Sequence, residues 1–220
     1  MLVNKLTLLF FIALLSAGSR AGLSQTPANN STTRIQAEQT VEQMRGFSMQ
    51  LRGSVRSDGK IDPIDQRRQE ITARLRRLGK EAVPALSHAL RDTDVQMRRN
   101  VVLVLIDLAG GYSAEAQTKL DIRSTMPGLI QATEDSDTDV RAWAAHALAE
   151  IGPDAKQAIP ALLKLLKDRE EEPRNTSCIA LGSIGPAAKD ALPALRAALN
   201  DPSKDVRRFA GRAIEKIQKE

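Results

Sequence analysis

The fold is decided by residues 125–152, which read TMPGLIQATEDSDTDVRAWAAHALAEIG. Related text surrounds four prolines, the last three of which are 33 residues apart: Pro84, Pro127, Pro160 and Pro193. Leucine stands two residues after each proline, aspartate eight after and arginine fourteen after. Self-similarity at a period of about 20–50 residues is the signature of a solenoid, so one small unit is predicted to stack repeatedly.

Each unit is predicted to contain two helices. In the third unit, Leu162, Leu165 and Leu166 recur at the spacing of an amphipathic helix, whose first turns contain the proline. The acidic turn that follows supplies N-caps for a second helix, and Gly152-Pro153 ends that helix in the second unit. No alternating apolar run between hairpin turns indicates a strand. The predicted class is therefore all-α.

The predicted architecture is an α-solenoid, or superhelix, of about four helix pairs with an N-terminal capping helix. The pairs are predicted at residues 80–110, 122–152, 155–185 and 187–218. Residues 62–79 are predicted to be a half-repeat, a lone second helix that caps the repeat domain of residues 62–220. A ten-residue insertion around Gly110–Ser113 predicts a longer loop after the first pair. Residues 22–61 have the composition of a linker, with a predicted helix over 34–52 carrying Ile35, Val41, Met44 and Leu51.

This pattern resembles the HEAT repeat family, in the short variant named for phycobilisome lyases. Residues 125–152 and 191–217 meet the family pattern nearly in full. The resemblance implies a structural ladder in which the aspartate of each turn bonds an arginine of its own or the adjoining repeat, since the planar guanidinium satisfies two acceptors at once. The ladder positions in this chain are Asp92, Arg98, Asp135, Arg141, Asp168, Arg174, Asp201 and Arg207.

The first 21 residues are predicted to be a cleavable signal peptide of bacterial type. Lys5 precedes an unbroken apolar run over residues 6–15, and small residues follow over 16–21. Because about ten apolar residues are too few to cross a bilayer comfortably, an uncleaved anchor is the weaker alternative. The predicted location is the periplasm or the outside of the cell, with no stable membrane span after cleavage.

The composition argues against several kinds of chemistry. The formal net charge falls from +5 to +3 without the signal peptide and is spread along the chain, so no nucleic-acid partner is expected. One cysteine excludes an internal disulfide or a cysteine zinc cluster. Asp135, Asp137 and Asp139 imitate the start of a calcium loop, but Val140 and His146 occupy positions that need glycine and glutamate. No metal, cofactor or catalytic group is predicted.

The remaining positive signal is a surface on the second helices. Positions sixteen and nineteen residues after each proline lie one helical turn apart, beside the buried stripe. They are Asn100, Trp143, Thr176 and Phe209 in the first row, and Leu103, His146, Ile179 and Arg212 in the second. Second helices of solenoids line extended recognition surfaces, and aromatic and arginine side chains often dominate interface energy. The competing interpretation is that these rows pack between repeats.

The sequence therefore predicts an exported, non-enzymatic scaffold that binds a protein or peptide partner on its second helices. The family resemblance implies one alternative, a bilin lyase-like, chromophore-handling enzyme subunit. A second alternative is a HEAT-like nucleic-acid-binding protein, against which the low net charge argues.

Overall fold

A computed structural model describes residues 27–46, 63–110 and 119–219 of the chain. The α-helices in these ranges are α1 (Pro27–Glu42), α2 (Pro63–Leu78), α3 (Val83–Ala89), α4 (Val95–Ala109), α5 (Met126–Ala132), α6 (Thr138–Ile151), α7 (Ile159–Leu165), α8 (Glu171–Ile184), α9 (Leu192–Ala198) and α10 (Lys204–Gln218). Short 3₁₀ segments lead into the odd-numbered helices from α3 onward: Gly79–Ala82, Arg123–Thr125, Gly152–Ala158 and Gly185–Ala191. The described residues contain no β-strand.

Each repeat is a short first helix followed by a longer second helix, as the sequence predicts. Proline is the second residue of every first helix from α3 to α9, where its missing N–H costs no helical bond. Two second helices have aspartate N-caps: Asp94 accepts a hydrogen bond from the N–H of Gln96, and Asp137 accepts one from Val140. Gly152 and Gly185 end α6 and α8 at φ of +68° and +71°, a region that favours glycine.

The second helices form a continuous row in which α8 packs between α6 and α10, and α6 packs against α4. Small residues allow the close approach. A Cβ atom on Gly182 would stand 3.0 Å from the Cα of Ala213 in the next helix. The core consists of leucine, isoleucine, valine, methionine and alanine together with Cys178, and it runs through every described repeat. The predicted all-α solenoid is confirmed.

The segment before the repeats differs from the prediction. The predicted helix at 34–52 is instead α1, which ends at Glu42 and is followed by a turn closed by Gly46 at φ +84°. Residues 27–46 are not a linker, because α1 packs against α2 and α3. Ala37 and Met44 are fully buried, whereas Ile35 is 53% exposed and lies off the packed face. Leu51 lies outside the described residues.

Two further predictions also fall outside the described ranges. These are the signal peptide over residues 1–21 and most of the loop that follows the first helix pair. Within the described ranges, no helix combines the length and the apolar character that crossing a membrane requires.

Candidate functional site

The first-repeat members of the predicted binding rows are buried, so the prediction that they contact a partner is wrong. Asn100 and Leu103 are both 0% exposed. The Nδ2 of Asn100 donates to the carbonyl oxygen of Met44 at 2.7 Å, and its Oδ1 accepts from Gln96 at 3.1 Å. Residues 101–109 of α4 are buried without interruption. Asn100 therefore fastens the turn after α1 to the array.

The prediction that Thr176 contacts a partner is also wrong. Its side chain is buried, with 4% of the residue exposed. Its hydroxyl donates to the backbone carbonyls of Glu172 and Pro173, at 3.0 and 3.1 Å, in the preceding turn of its own helix. The hydroxyl is thus satisfied inside α8 and offers nothing to a ligand.

The other members stay accessible on three adjacent helices. Trp143, His146, Ile179 and Phe209 are partly buried, and Arg212 is exposed. We call these five residues the ridge. Trp143 and Phe209 pack against the core and remain partly exposed. Because the rings already pack against the core, their side chains have little conformational entropy left to lose.

Cations flank the ridge at α10. The guanidinium carbon of Arg208 lies 4.8 Å from the centre of the Phe209 ring, and that of Arg212 lies 5.9 Å from it. Both distances are within the range of a cation–π interaction. At the α6 end, the Nε2 of His146 lies 3.7 Å from a carboxylate oxygen of Glu150. The ridge thus combines aromatic surface with guanidinium groups at α10, and the carboxylate of Glu150 lies beside its α6 end.

The Asp–Arg ladder joins neighbouring repeats along the turns. The Nε and Nη2 of Arg141 donate to both carboxylate oxygens of Asp168, at 2.8 and 3.1 Å, and its Nη1 donates to the carbonyl of Asp135 at 3.0 Å. The same bonds recur from Arg98 to Asp135 and Asp92, and from Arg174 to Asp201 and Asp168. Each arginine therefore ties its own turn to the turn of the following repeat.

Arg45 supplies the first rung, which the sequence did not predict. It follows α1, and its Nη2 and Nη1 donate to the two carboxylate oxygens of Asp92 at 2.8 and 3.3 Å. At the other end, Arg207 donates to the carbonyls of Asp201 and Pro202. Within the described residues, Arg207 has no carboxylate partner from a following repeat.

The ladder lowers the pKa values of its four aspartates. Hydrogen bonds from Arg174 hold the pKa of Asp201 below its usual value, and Arg45 does the same for Asp92. Burial opposes the ionisation of Asp168 and Asp135, but the bonds from their arginines outweigh it and both pKa values are lowered. All four carboxylates are therefore charged at neutral pH.

Acid should destabilise the array through these carboxylates. A carboxyl whose pKa is lower in the folded state stabilises folding above its unfolded pKa, and this contribution disappears as the pH falls through the folded value. We expect the urea midpoint to hold from pH 7 to about 5 and to drop steeply below the ordinary aspartate value of 3.8. Circular dichroism at each pH measures the change. An Arg141→Ala variant should have a shallower dependence, and an equal slope would contradict this assignment.

The other side chains that sequence analysis considered for chemistry have structural roles. Burial raises the pKa of the Cys178 thiol to about 12, so it is protonated at neutral pH and is not a nucleophile. Asp137 caps α6 and binds the guanidinium of Arg99, which also lies 3.2 Å from Asp139. Over the described ranges, no group of three or more histidine, cysteine, aspartate or glutamate side chains could hold a metal ion.

The C-terminal part of the chain matches a known repeat family. Residues 126–219 match the family model described as HEAT repeats. The predicted HEAT repeats are therefore confirmed over these residues. Sequence comparison with curated proteins gives no match.

Solved structures of helical repeat proteins share the fold. The phycocyanin lyase complex of CpcE and CpcF from Nostoc sp. PCC7120 is 20% identical, with a TM-score of 0.60 over 82% of this chain and 99% of that one. A designed armadillo repeat protein in complex with the peptide (KR)4 is 22% identical, with a TM-score of 0.56 over 67% and 68%. A computationally designed armadillo repeat protein for modular peptide recognition is 20% identical, with a TM-score of 0.55 over 87% of this chain and 94% of that one. At these identities the likeness concerns the fold.

Proposed function

We propose that this chain, whose C-terminal repeats are HEAT repeats, is an exported, non-enzymatic scaffold that binds a protein or peptide on the ridge. The observation that carries the proposal is the pair of partly exposed aromatics, Trp143 and Phe209. Trp143 and Phe209 occupy the same position in two repeats, whereas Asn100 and Thr176, at that position in the other two, are buried. Large apolar rings left open on a rigid scaffold are typical of interface anchors.

The geometry of the second helices supports an extended ligand. The helices α6, α8 and α10 lie side by side and present the ridge residues on one surface. Such surfaces are what solenoids use for recognition. Structurally similar designed armadillo proteins include one in complex with a peptide and one designed for peptide recognition.

Replacing either aromatic should weaken capture of the partner while the fold persists. Truncating a central aromatic anchor costs about 2 kcal/mol or more, so we expect Trp143→Ala and Phe209→Ala to weaken binding about 30-fold. A pull-down from the native envelope fraction identifies the partner, and titration of that partner gives the affinities. Circular dichroism of both variants should retain the wild-type helical signal.

Thr176→Val is the matched control, because it changes the equivalent buried position without altering the ridge. It should capture the partner as the wild-type chain does. Capture that survives loss of both rings would contradict the proposal. Unfolding of both aromatic variants would do so too, because it would assign the rings to the core.

Export is the second part of the proposal. It depends on the basic residue Lys5, the apolar run over residues 6–15 and the small residues at 16–21. Fractionation of cells of the source organism tests it. The chain should appear in the periplasm or the medium, shortened at its N-terminus, and a full-length chain in the cytosol would contradict the proposal.

A bilin lyase-like role is the second candidate, and the similarity to the phycocyanin lyase complex favours it. That activity would need contact between this chain and a bilin chromophore. Mixing the protein with a bilin and a phycobiliprotein acceptor tests it by visible absorbance. A spectral change that persists in Trp143→Ala would favour this role over partner binding at the ridge.

A further inference from the structure

The ridge is part of a stripe of four positions that recurs on each of α6, α8 and α10. The positions stand 12, 16, 19 and 23 residues after each repeat's proline, so they share one side of the helix. On α6 and α8 they are Asp139, Trp143, His146, Glu150, Glu172, Thr176, Ile179 and Ser183. On α10 they are Asp205, Phe209, Arg212 and Lys216. All except Thr176 are partly or fully exposed.

The charge of this stripe changes sign across the three helices. The α6 stripe carries two carboxylates, Asp139 and Glu150, and the α8 stripe carries one, Glu172. Arg99 lies between Asp137 and Asp139, so one guanidinium faces two carboxylates there. On α10 the stripe is mainly basic. Asp205 is 2.9 Å from Arg208, which leaves Arg212 and Lys216 as the charges that face outward.

Each of the three helices also carries one apolar side chain near the middle of its stripe. These are Trp143 on α6, Ile179 on α8 and Phe209 on α10. Because packed helices are about 8–10 Å apart, the centres of α6 and α10 are separated by about 16–20 Å. An extended chain advances about 3.3 Å per residue, so about six residues cross the three helices.

We infer that the partner segment is an extended peptide with a basic end, a short apolar middle and an acidic end. The basic end lies over the α6 stripe, which carries Asp139 and Glu150, and the acidic end lies over the α10 stripe, which carries Arg212 and Lys216. Charge complementarity of this kind fixes the direction and register of a ligand more than it raises affinity. The inference rests on the proposed binding at the ridge and adds the chemistry of the ligand.

Three fluorescein-labelled octapeptides test the charge order with the full chain. Each has four aliphatic residues in the middle. The dipolar peptide has two lysines at one end and two aspartates at the other, while the uniform peptides have lysines or aspartates at both ends. We expect fluorescence anisotropy at low salt to show the dipolar peptide binding about tenfold tighter than either uniform peptide. Trp143→Ala should abolish this binding.

Reversing the basic end of the stripe should reverse the preference. The double variant Arg212→Glu/Lys216→Glu should bind the lysine-only peptide best and lose about tenfold in affinity for the dipolar one. The matched control is Lys156→Glu/Lys189→Glu, which makes the same charge change at exposed positions of the 3₁₀ segments. This control should bind the dipolar peptide more tightly than either uniform peptide, as the wild-type chain does.

The outcomes separate the two proposals. Equal affinities for the three peptides, all lost in Trp143→Ala, would overturn the charge order and leave binding at the ridge intact. An equal effect of the two double variants would also overturn the charge order. Failure to bind any peptide would overturn the inference about the ligand, and binding at the ridge would then be judged by capture of the partner from the envelope fraction.

Discussion

We expect the Arg141→Ala variant to unfold with a free energy about 3–5 kcal/mol lower than that of the wild-type chain. Arg141 is 8% exposed and forms two charge-assisted bonds to Asp168, whose side chain is 11% exposed. Removing the guanidinium leaves that carboxylate largely buried, and among the described residues it then accepts a hydrogen bond from the N–H of Glu170 alone. Urea unfolding followed by circular dichroism measures the loss.

Arg207→Ala is the matched control because it removes the same residue type from the same repeat position. Arg207 also donates to two carbonyls of its own turn, at 2.6 and 2.9 Å. In the described part of the chain it binds no carboxylate of another repeat, so its loss should cost only about 1 kcal/mol. Equal losses in the two variants would show that the bonds between repeats contribute nothing.

Sequence reasoning predicted the repeats well because each of their features has a local cause. Proline can begin a helix, an acidic turn can cap one, and glycine can end one, whatever the neighbouring repeats do. The ladder partners were predicted from the family resemblance for the same reason. Its residues recur in fixed register, and the structure places Arg141 against both its own turn and the next.

The segment containing α1 was predicted poorly because it lacks the repeat register that the four prolines of the repeats define. Its signal was present at Ala37, Val41 and Met44, which share one side of a helix and are all buried. The apolar positions counted for the predicted helix included Val41 and Met44 but omitted Ala37, and counting Leu51 extended the helix beyond Glu42, where α1 ends. Arg45 could be recognised as a ladder residue only after the fold had placed it beside Asp92.

The candidate site was half predicted, because equivalent positions of a repeat need not be equally exposed. Sequence spacing places Leu103, His146, Ile179 and Arg212 in one row. It does not reveal that α4 is enclosed along residues 101–109, whereas α10 presents charged residues to solvent. Exposure depends on which segments pack over each end of the array, and these contacts are distant in sequence.

The contrast within this row gives the second large prediction, which concerns Leu103 and Ile179. Leu103 is fully buried in α4, so Leu103→Ala should leave a cavity and lower the free energy of unfolding by about 2–5 kcal/mol. Ile179 occupies the equivalent position of α8 and is only partly buried, so Ile179→Ala should cost about 1 kcal/mol or less in stability.

For binding of the partner, Ile179→Ala should have the larger effect of the two substitutions. Ile179→Ala removes apolar surface from the middle of the ridge and should weaken binding several-fold, whereas Leu103→Ala should bind normally wherever it remains folded. Urea titrations and partner titrations on the same two proteins measure both effects. If Leu103→Ala keeps wild-type stability but loses the partner, the burial of α4 is wrong and its row is a binding surface. If both variants lose stability equally, the row packs between repeats throughout, and the ridge has no apolar centre to offer a ligand.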